Sequence, residues 1–493
     1  MTRQIDFNGI CNKVMEYKSC FIAAFLCYCV VYGFELTHFT LSIDEEFGDN
    51  FFQTIMLGRW GHGLLKHYIL PEPYVPFFTT IISIAFLSIA AGLSAMYLKL
   101  GRTHSLAFVI MLASLPQLAY QLEFANQSDT IGVALIFSAA SLIAMDAGGK
   151  IGWIAFIAAT VLSLSIYQSV FLYAASLLCV RMTLDVVTRG CVVRDLIKKV
   201  AFYCLATLVS LVINAALSHL MQSAYSLPTS VYLDAMIGWG GRDVKDVIMT
   251  LAAMLVQYFS FENLPGFNSF PFVLLWIFIA TIASFLFKRN AALVALISVV
   301  TLCSAFILNV ALGSWVPPRA MTQLPVVFAG LFIVAAVSCK SRKSAVLVSL
   351  IFLAAGSASS NKLFYSDYMA RKADEQLGRE MVSAIYNKYP SFNISSNPVF
   401  FYGSHVPLNS SRLPNSDVFG ASFFEWDGGN NRRIYAYLET ASIARFAKPD
   451  EAQVNAAREF GKSLPSWPDR GSVEMHDGVV IVKLSDTLSP FNR

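Results

Sequence analysis

Residues 19–50 read "SCFIAAFLCYCVVYGFELTHFTLSIDEEFGDN". Residues 19–39 are almost wholly apolar, and about 20 such residues in a helix suffice to cross the hydrocarbon core of a bilayer. Four carboxylates then follow within ten residues: Asp44, Glu45, Glu46 and Asp49. Charge at that density does not stay in hydrocarbon. The chain therefore crosses a membrane and opens an acidic cluster at its surface, and the side on which it opens decides what the cluster can do.

The rest of the sequence extends the same pattern. Of 493 residues, 56% are hydrophobic and only 14% charged, whereas soluble domains carry about 25% charged residues. The composition predicts a mainly α, polytopic membrane protein. Spans are expected near 19–39, 74–97, 105–121, 130–146, 151–167, 170–187, 200–221, 270–287, 291–312, 320–338 and 344–360. Charge is sorted along the chain: residues 361–493 hold 15 Lys+Arg and 15 Asp+Glu in 133 positions, and the first 360 hold the other 38 charges. That break separates a membrane domain, 1–360, from a small α/β domain, 361–493, long enough to fold by itself.

Basic residues collect in alternate loops, at Lys99/Arg102, Lys150, Arg189/Arg194/Lys198/Lys199, Lys288/Arg289 and Lys340/Arg342/Lys343. With Arg3, Lys13, Lys18 and Arg181 that makes 16 on one side, against Arg59, Lys66, Arg242, Lys245 and Arg319 on the other. The bias predicts a cytoplasmic N-terminus and an outward-facing 40–73. Residues 246–267 keep this parity only as a re-entrant or interfacial segment broken at "ENLPGF", which leaves eleven spans and an external C-terminal domain. The N-terminal residues carry no cleavage signal, and the first span reads as an uncleaved signal-anchor.

The net charge of +4 is distributed by topology, and no basic patch for nucleic acid is indicated. The nine cysteines all lie before residue 340 and suggest no disulfide framework. No Cys/His grouping has metal-ligand spacing, and no Gly-rich phosphate loop is present. No metal and no cofactor is expected.

After the acidic cluster, residues 50–70, "NFFQTIMLGRWGHGLLKHYIL", place apolar side chains at 52, 55/56, 60, 64 and 68. This predicts one interfacial amphipathic helix with Arg59, His62 and Lys66 sharing its other side. Acidic and basic groups facing each other at a lipid boundary suit a lipid-linked phosphosugar and an attacking hydroxyl. A carboxylate among Asp44, Glu45 and Glu46 would take the hydroxyl proton. Arg59, His62, Lys66 and, at the outer end of a later span, Arg319 would hold the departing phosphate. Polar residues in outer loops, Glu123, Asp129 and Trp239, are candidate acceptor contacts, as are Trp426 and Asp427 in the tail. In the C-terminal domain, helical spacing covers 366–388, "NPVFFYG" reads as a strand, and "ASFFEWDGGNNRRIYAYLE" and "SVEMHDGVVIVKLS" read as hairpins.

"SIDEE" after the first span, "GRWG" about a dozen residues later and "SFFEWDGG" in the tail together resemble the Gtr-type serotype-converting O-antigen glucosyltransferases, often phage-encoded in enteric bacteria, and the type II group in particular. The broader resemblance is to the GT-C membrane glycosyltransferases, whose catalytic acid lies in the first external loop; it carries onto Asp44-Glu45, and Glu46 departs from a simple pair. The resemblance implies a bacterial inner-membrane enzyme with undecaprenyl-phosphate-glucose as donor and lipid-linked O-antigen as periplasmic acceptor. A separate donor-synthesising transferase and a flippase would act as functional partners. Two alternatives remain at this stage: another GT-C transferase using a polyprenyl-phosphate sugar, and a lipid-sugar flippase. Against the flippase, the halves show no internal repeat and the ionisable groups gather at the mouth, not the midplane.

The predicted topology has a direct check. With the native cysteines replaced, a cysteine at position 430 should react with a membrane-impermeant thiol reagent added from the periplasmic side; labelling from the cytoplasm alone would reverse the orientation.

Overall fold

A computed structural model describes residues 7–190, 193–230, 236–261 and 269–492. It is mainly helical, with a small sheet near the C-terminus. Among the described residues, six helices are long and apolar enough to cross a bilayer: Phe78–Leu98, Ala125–Ala147, Gly149–Ile166, Gln168–Arg189, Val193–Ala224 and the first part of Lys343–Lys388. Arg102–Ser114 and Pro116–Leu122 add a seventh if counted as one span bent by 49°. The bend falls where Pro116 forces Leu115 into an extended conformation.

Four shorter apolar helices, Lys18–Val31, Phe272–Leu286, Ala291–Ser304 and Leu324–Ser338, coincide with the remaining expected spans. Two are prolonged by a further short helix, Gly33–Thr37 and Ile307–Leu312. Over the first part of residues 246–267 the structure has a helix, Val244–Phe259; the expected break at 262–267 lies outside the described residues.

By contacts the chain divides into two units: Met1–Thr37 with Asp49–Asn361, and His38–Gly48 with Lys362–Arg493. The acidic loop thus packs with the C-terminal residues, a grouping that spacing along the sequence does not reveal.

In the first unit, Phe78–Leu98 and Gly149–Ile166 both pack along Ala125–Ala147, the first with Ser83 and Ser128 hydroxyls 2.9 Å apart. Small polar side chains let apolar helices approach and bond across the contact. Leu324–Ser338 is buried along nearly its whole length, between Arg102–Ser114, Phe171–Arg189 and Phe272–Leu286. Val193–Ala224 is mostly exposed, as suits an apolar helix with lipid for solvent.

The expected single interfacial helix is two, Phe51–Met56 and Trp60–Tyr68. Gly58, at φ +72, makes the break, a conformation that L side chains avoid. The carbonyls at the end of the first helix are taken up by side chains: Gln222 Nε2 donates to Ile55 and Met56 at 3.2 and 3.1 Å, and Gln168 Nε2 to Leu57 at 2.9 Å.

In the second unit, β1 (Val399–Tyr402) pairs in parallel with β3 (Val479–Lys483), and β2 (Val473–His476) pairs antiparallel with β3 through the Asp477-Gly478 turn. The expected "NPVFFYG" strand and second hairpin are therefore present. Helix Glu451–Gly461, opened by an Asp450/Gln453 capping box, covers a core of Phe400, Tyr402, Ala457, Val479 and Ile481.

The other expected hairpin is a correction. "WDG" is a 3-10 turn and Asn431–Thr440 is a helix. Its buried residues, Ile434, Tyr435, Tyr437 and Leu438, recur at helical spacing, and Asn430 accepts the Arg432 N–H as a cap. Asn431 serves the free edge of β1 in place of a strand, accepting from Phe401 N–H and donating to Phe401 C=O, both at 2.8 Å. The expected 366–388 helix is continuous with the last apolar segment as Lys343–Lys388.

The segment leading into the 426–428 turn hangs on that long helix. Asp374 accepts from Phe423 N–H at 3.0 Å and from Ser422 Oγ at 2.5 Å. Arg371 pairs with Asp374 at 2.8 Å and lies over the Phe423 ring.

Asn431→Ala should expose two buried peptide groups of β1 with no partner. At roughly 1–3 kcal/mol for each unsatisfied group, the C-terminal unit should lose about 3 kcal/mol, read as faster limited proteolysis after residue 390 and a lower Tm.

Candidate active site

The loop 38–48 sorts its carboxylates by environment. Glu45 turns back on its own loop, accepting the Ser42 N–H at 2.8 Å, and is 1% exposed. Glu46 is 3% exposed; burial pushes its carboxyl above the ordinary range, opposed by the charge of Arg433. Asp44 sits at φ 78, a left-handed conformation that Asp tolerates better than most residues. Its side chain keeps 48% exposure. Asp49, in the other unit, accepts from Phe51 N–H at 3.0 Å at the start of helix Phe51–Met56.

The two carboxylates not spent on the loop meet one guanidinium. Arg433 places Nη2 2.8 Å from Asp44 Oδ1, Nη1 2.5 Å from Glu46 Oε1 and Nε 2.5 Å from Asp427 Oδ2. Helix Asn431–Thr440 delivers it, and also supplies Thr440 Oγ1 to the Glu46 carbonyl at 3.1 Å. Arg432 lies over the Phe47 ring, 4.8 Å from its centroid. Glu46 Oε2 is buried without a hydrogen-bond partner among the described residues.

Neither Arg433 nor the Arg371–Asp374 pair was among the residues singled out from sequence. The missed signal is periodic: with 431–440 read as a helix, Arg433 comes onto the flank of its buried face. Asp427, read as an acceptor contact, stands instead on the same arginine as Asp44 and Glu46. Among the described residues no group of three or more His, Cys, Asp or Glu side chains is arranged to hold a metal ion.

The basic strip lies in the other unit. Helix Trp60–Tyr68 buries Gly61, His62, Gly63 and Lys66 and leaves Tyr68 exposed, with Ile69 just beyond. Gly61, His62, Gly63 and Lys66 thus share the face that packs into the protein. Gly61 makes this possible: a Cβ there would lie 2.9 Å from Ser165 Cβ, so only glycine lets the helix seat against the end of Gly149–Ile166.

Lys66 Nζ meets Asp129 at 3.1 Å, both buried. His62 Nδ1 is 2.7 Å from Thr130 Oγ1. Burial, aided by the charges of Arg59 and Lys66, pushes His62 down to about 3, so the ring is neutral at physiological pH. Arg59 stacks on Tyr167, 4.6 Å from the ring centroid, and its Nε has no hydrogen-bond partner among the described residues.

Arg319 lies over Phe124 at 5.0 Å, next in sequence to the buried Glu123, and its carbonyl accepts from Gln121. Trp239 donates to Val310 C=O at 2.8 Å. Trp426, half-buried, opens the 3-10 turn that carries Asp427.

A family model described as Glucosyl transferase GtrII matches residues 33–336, more than half of the chain. The chain belongs to the GtrII glucosyl transferase family. It is accordingly a glycosyltransferase. No curated protein and no solved structure matches. The family match contains Asp44, Glu45, Glu46 and the whole basic strip, and ends before Trp426, Asp427 and Arg433.

Lys66→Met should leave the Asp129 charge buried alone and destabilise the membrane unit by about 3–5 kcal/mol. Lys66→Met with Asp129→Leu should recover much of that loss, measured as the Tm of the purified protein in detergent.

Proposed function

We propose that this GtrII family member transfers glucose from undecaprenyl-phosphate-glucose to lipid-linked O-antigen on the periplasmic side of the bacterial inner membrane, with Asp44 as general base. The observation that carries the base assignment is the sorting of the acidic loop. A base must reach a hydroxyl, and Asp44 alone of Asp44, Glu45 and Glu46 is substantially exposed.

The reaction is a single displacement. The acceptor oxygen attacks the glucose C1 while its proton passes to Asp44. The C1–O bond to phosphate breaks, and undecaprenyl phosphate leaves with the bonding pair. One carboxylate suffices because phosphate departs without protonation, and one displacement inverts the anomeric carbon.

The basic strip supports the phosphate end in graded fashion. Arg59 and Arg319 each keep a guanidinium on an aromatic face, suited to bidentate phosphate contact. The charge of Lys66 is already matched by Asp129, which suits it to fixing helix Trp60–Tyr68 in place. Neutral His62 can offer a ring N–H and no charge. Sixteen basic residues against five support an outward-facing acidic loop, and the donor would then be made and brought across by separate proteins.

Membranes carrying the chain, supplied with undecaprenyl-phosphate-glucose and O-antigen, should transfer glucose. Asp44→Asn should lower the rate 10²–10⁴-fold, the usual worth of a general base. Glu45→Gln, which keeps an acceptor for the Ser42 N–H, should stay within about threefold. Undiminished transfer by Asp44→Asn would defeat the base assignment.

A further inference from the structure

We propose that Arg433, from the C-terminal region beyond the family match, is a positioning residue for the general base: it fixes the orientation of the Asp44 carboxylate, with Glu46 and Asp427 fixing the guanidinium. The proposal rests on the reading of Asp44 as base. Its own basis is the contact geometry within one compact unit, in which all four residues lie.

A guanidinium offers five N–H donors in one plane. Arg433 presents three separate nitrogens to three carboxylates, at 2.8 Å for Asp44 and 2.5 Å for Glu46 and Asp427. The partners differ in freedom. The Glu46 side chain is fully buried. Asp427 is locked in the 426–428 turn, which Ser489 Oγ ties down by bonding to the Asp427 carbonyl at 2.6 Å. Those two set the plane of the guanidinium, and Nη2 is then left at a fixed place for Asp44, the exposed member.

The consequence is functional as well as structural. The Nη2 contact at 2.8 Å restricts the Asp44 side chain to one orientation, in which it can take the proton of a hydroxyl brought to it. When it does, its bond to Arg433 weakens, yet Glu46 and Asp427 keep the guanidinium in place for the next turnover. Lysine cannot substitute, because a single ammonium does not present three coplanar donors. The charged groups facing this cluster are Arg433 and Asp427, Arg432 beside Phe47, and Arg371, which acts on Glu46 from helix Lys343–Lys388.

The full-length protein, purified in detergent and assayed with undecaprenyl-phosphate-glucose and O-antigen, provides the test. Arg433→Gln should lower kcat about 100-fold per folded molecule and leave the donor KM within about threefold. Arg433→Lys, which keeps the charge but not the three coplanar donors, should recover under a tenth of the wild-type kcat.

A merely structural arginine would reduce the amount of folded enzyme without moving kcat per folded molecule, and that result overturns the proposal. Should Arg433→Gln not accumulate, Asp427→Asn provides the reading: about a tenfold fall in kcat supports the proposal, and a wild-type profile refutes it. If Asp44→Asn is inert while the Arg433 and Asp427 variants behave as wild type, the positioning role alone fails. If Asp44→Asn is fully active, the base assignment fails first.

Discussion

A carboxylate withdrawn from water must be given a charge or a set of donors in exchange, and the arrangement of the C-terminal unit follows from how this is done for Glu46. The cost of burying an unpaired carboxylate is several kcal/mol even after relaxation. Arg433 meets it at 2.5 Å, and the guanidinium so recruited is held by Asp427 as well. The rest serves to keep that arginine in position. Asn431, two residues earlier, is bonded to both peptide groups of Phe401, and the turn bearing Asp427 follows a segment suspended from Asp374. The sheet, the long helix and the acidic loop are thus linked through a few buried polar contacts, each of which would be costly to leave unmade.

The first unit follows the same logic with the bilayer as solvent. Helix Trp60–Tyr68 carries its charge and its glycines on the face that packs inward, because a lysine and an aspartate facing each other are tolerable where either alone would not be. Periodicity placed His62 and Lys66 on one side, and the structure buries that side. An apolar stripe points to a protein core in water and to lipid in a membrane, and the pattern alone does not distinguish them.

That distinction marks the limit of what could be read in advance. Every expected span lies on a helix, because twenty-odd apolar residues with flanking charge admit few other structures in a bilayer. The strands at 399–402 and 479–483 were legible from β-branched and aromatic runs, and the Asp477-Gly478 turn from its residue types. The helix 431–440 was misread because "DGG" ahead of it is also a hairpin signal; Asn430 as a cap and the spacing of Ile434, Tyr437 and Leu438 were the stronger clue. The density of carboxylates in the acidic loop was legible. Its partner, nearly 400 residues away in the chain, was not, since ion pairing across such a separation leaves no local pattern.

This separation bears on what the family match alone can describe. Residues 33–336 contain the three adjacent acids but none of the cation that balances them. Asp44, Glu45 and Glu46 are alike in sequence and unlike in the fold: one bonded to its own loop, one buried against the arginine, one exposed. Identical chemistry in three neighbouring side chains is turned into three roles by environment, and part of that environment lies beyond the region by which the family is recognised. A C-terminal segment that supplies the counter-charge to a catalytic loop can therefore tune the reactivity of that loop without any change within the loop itself.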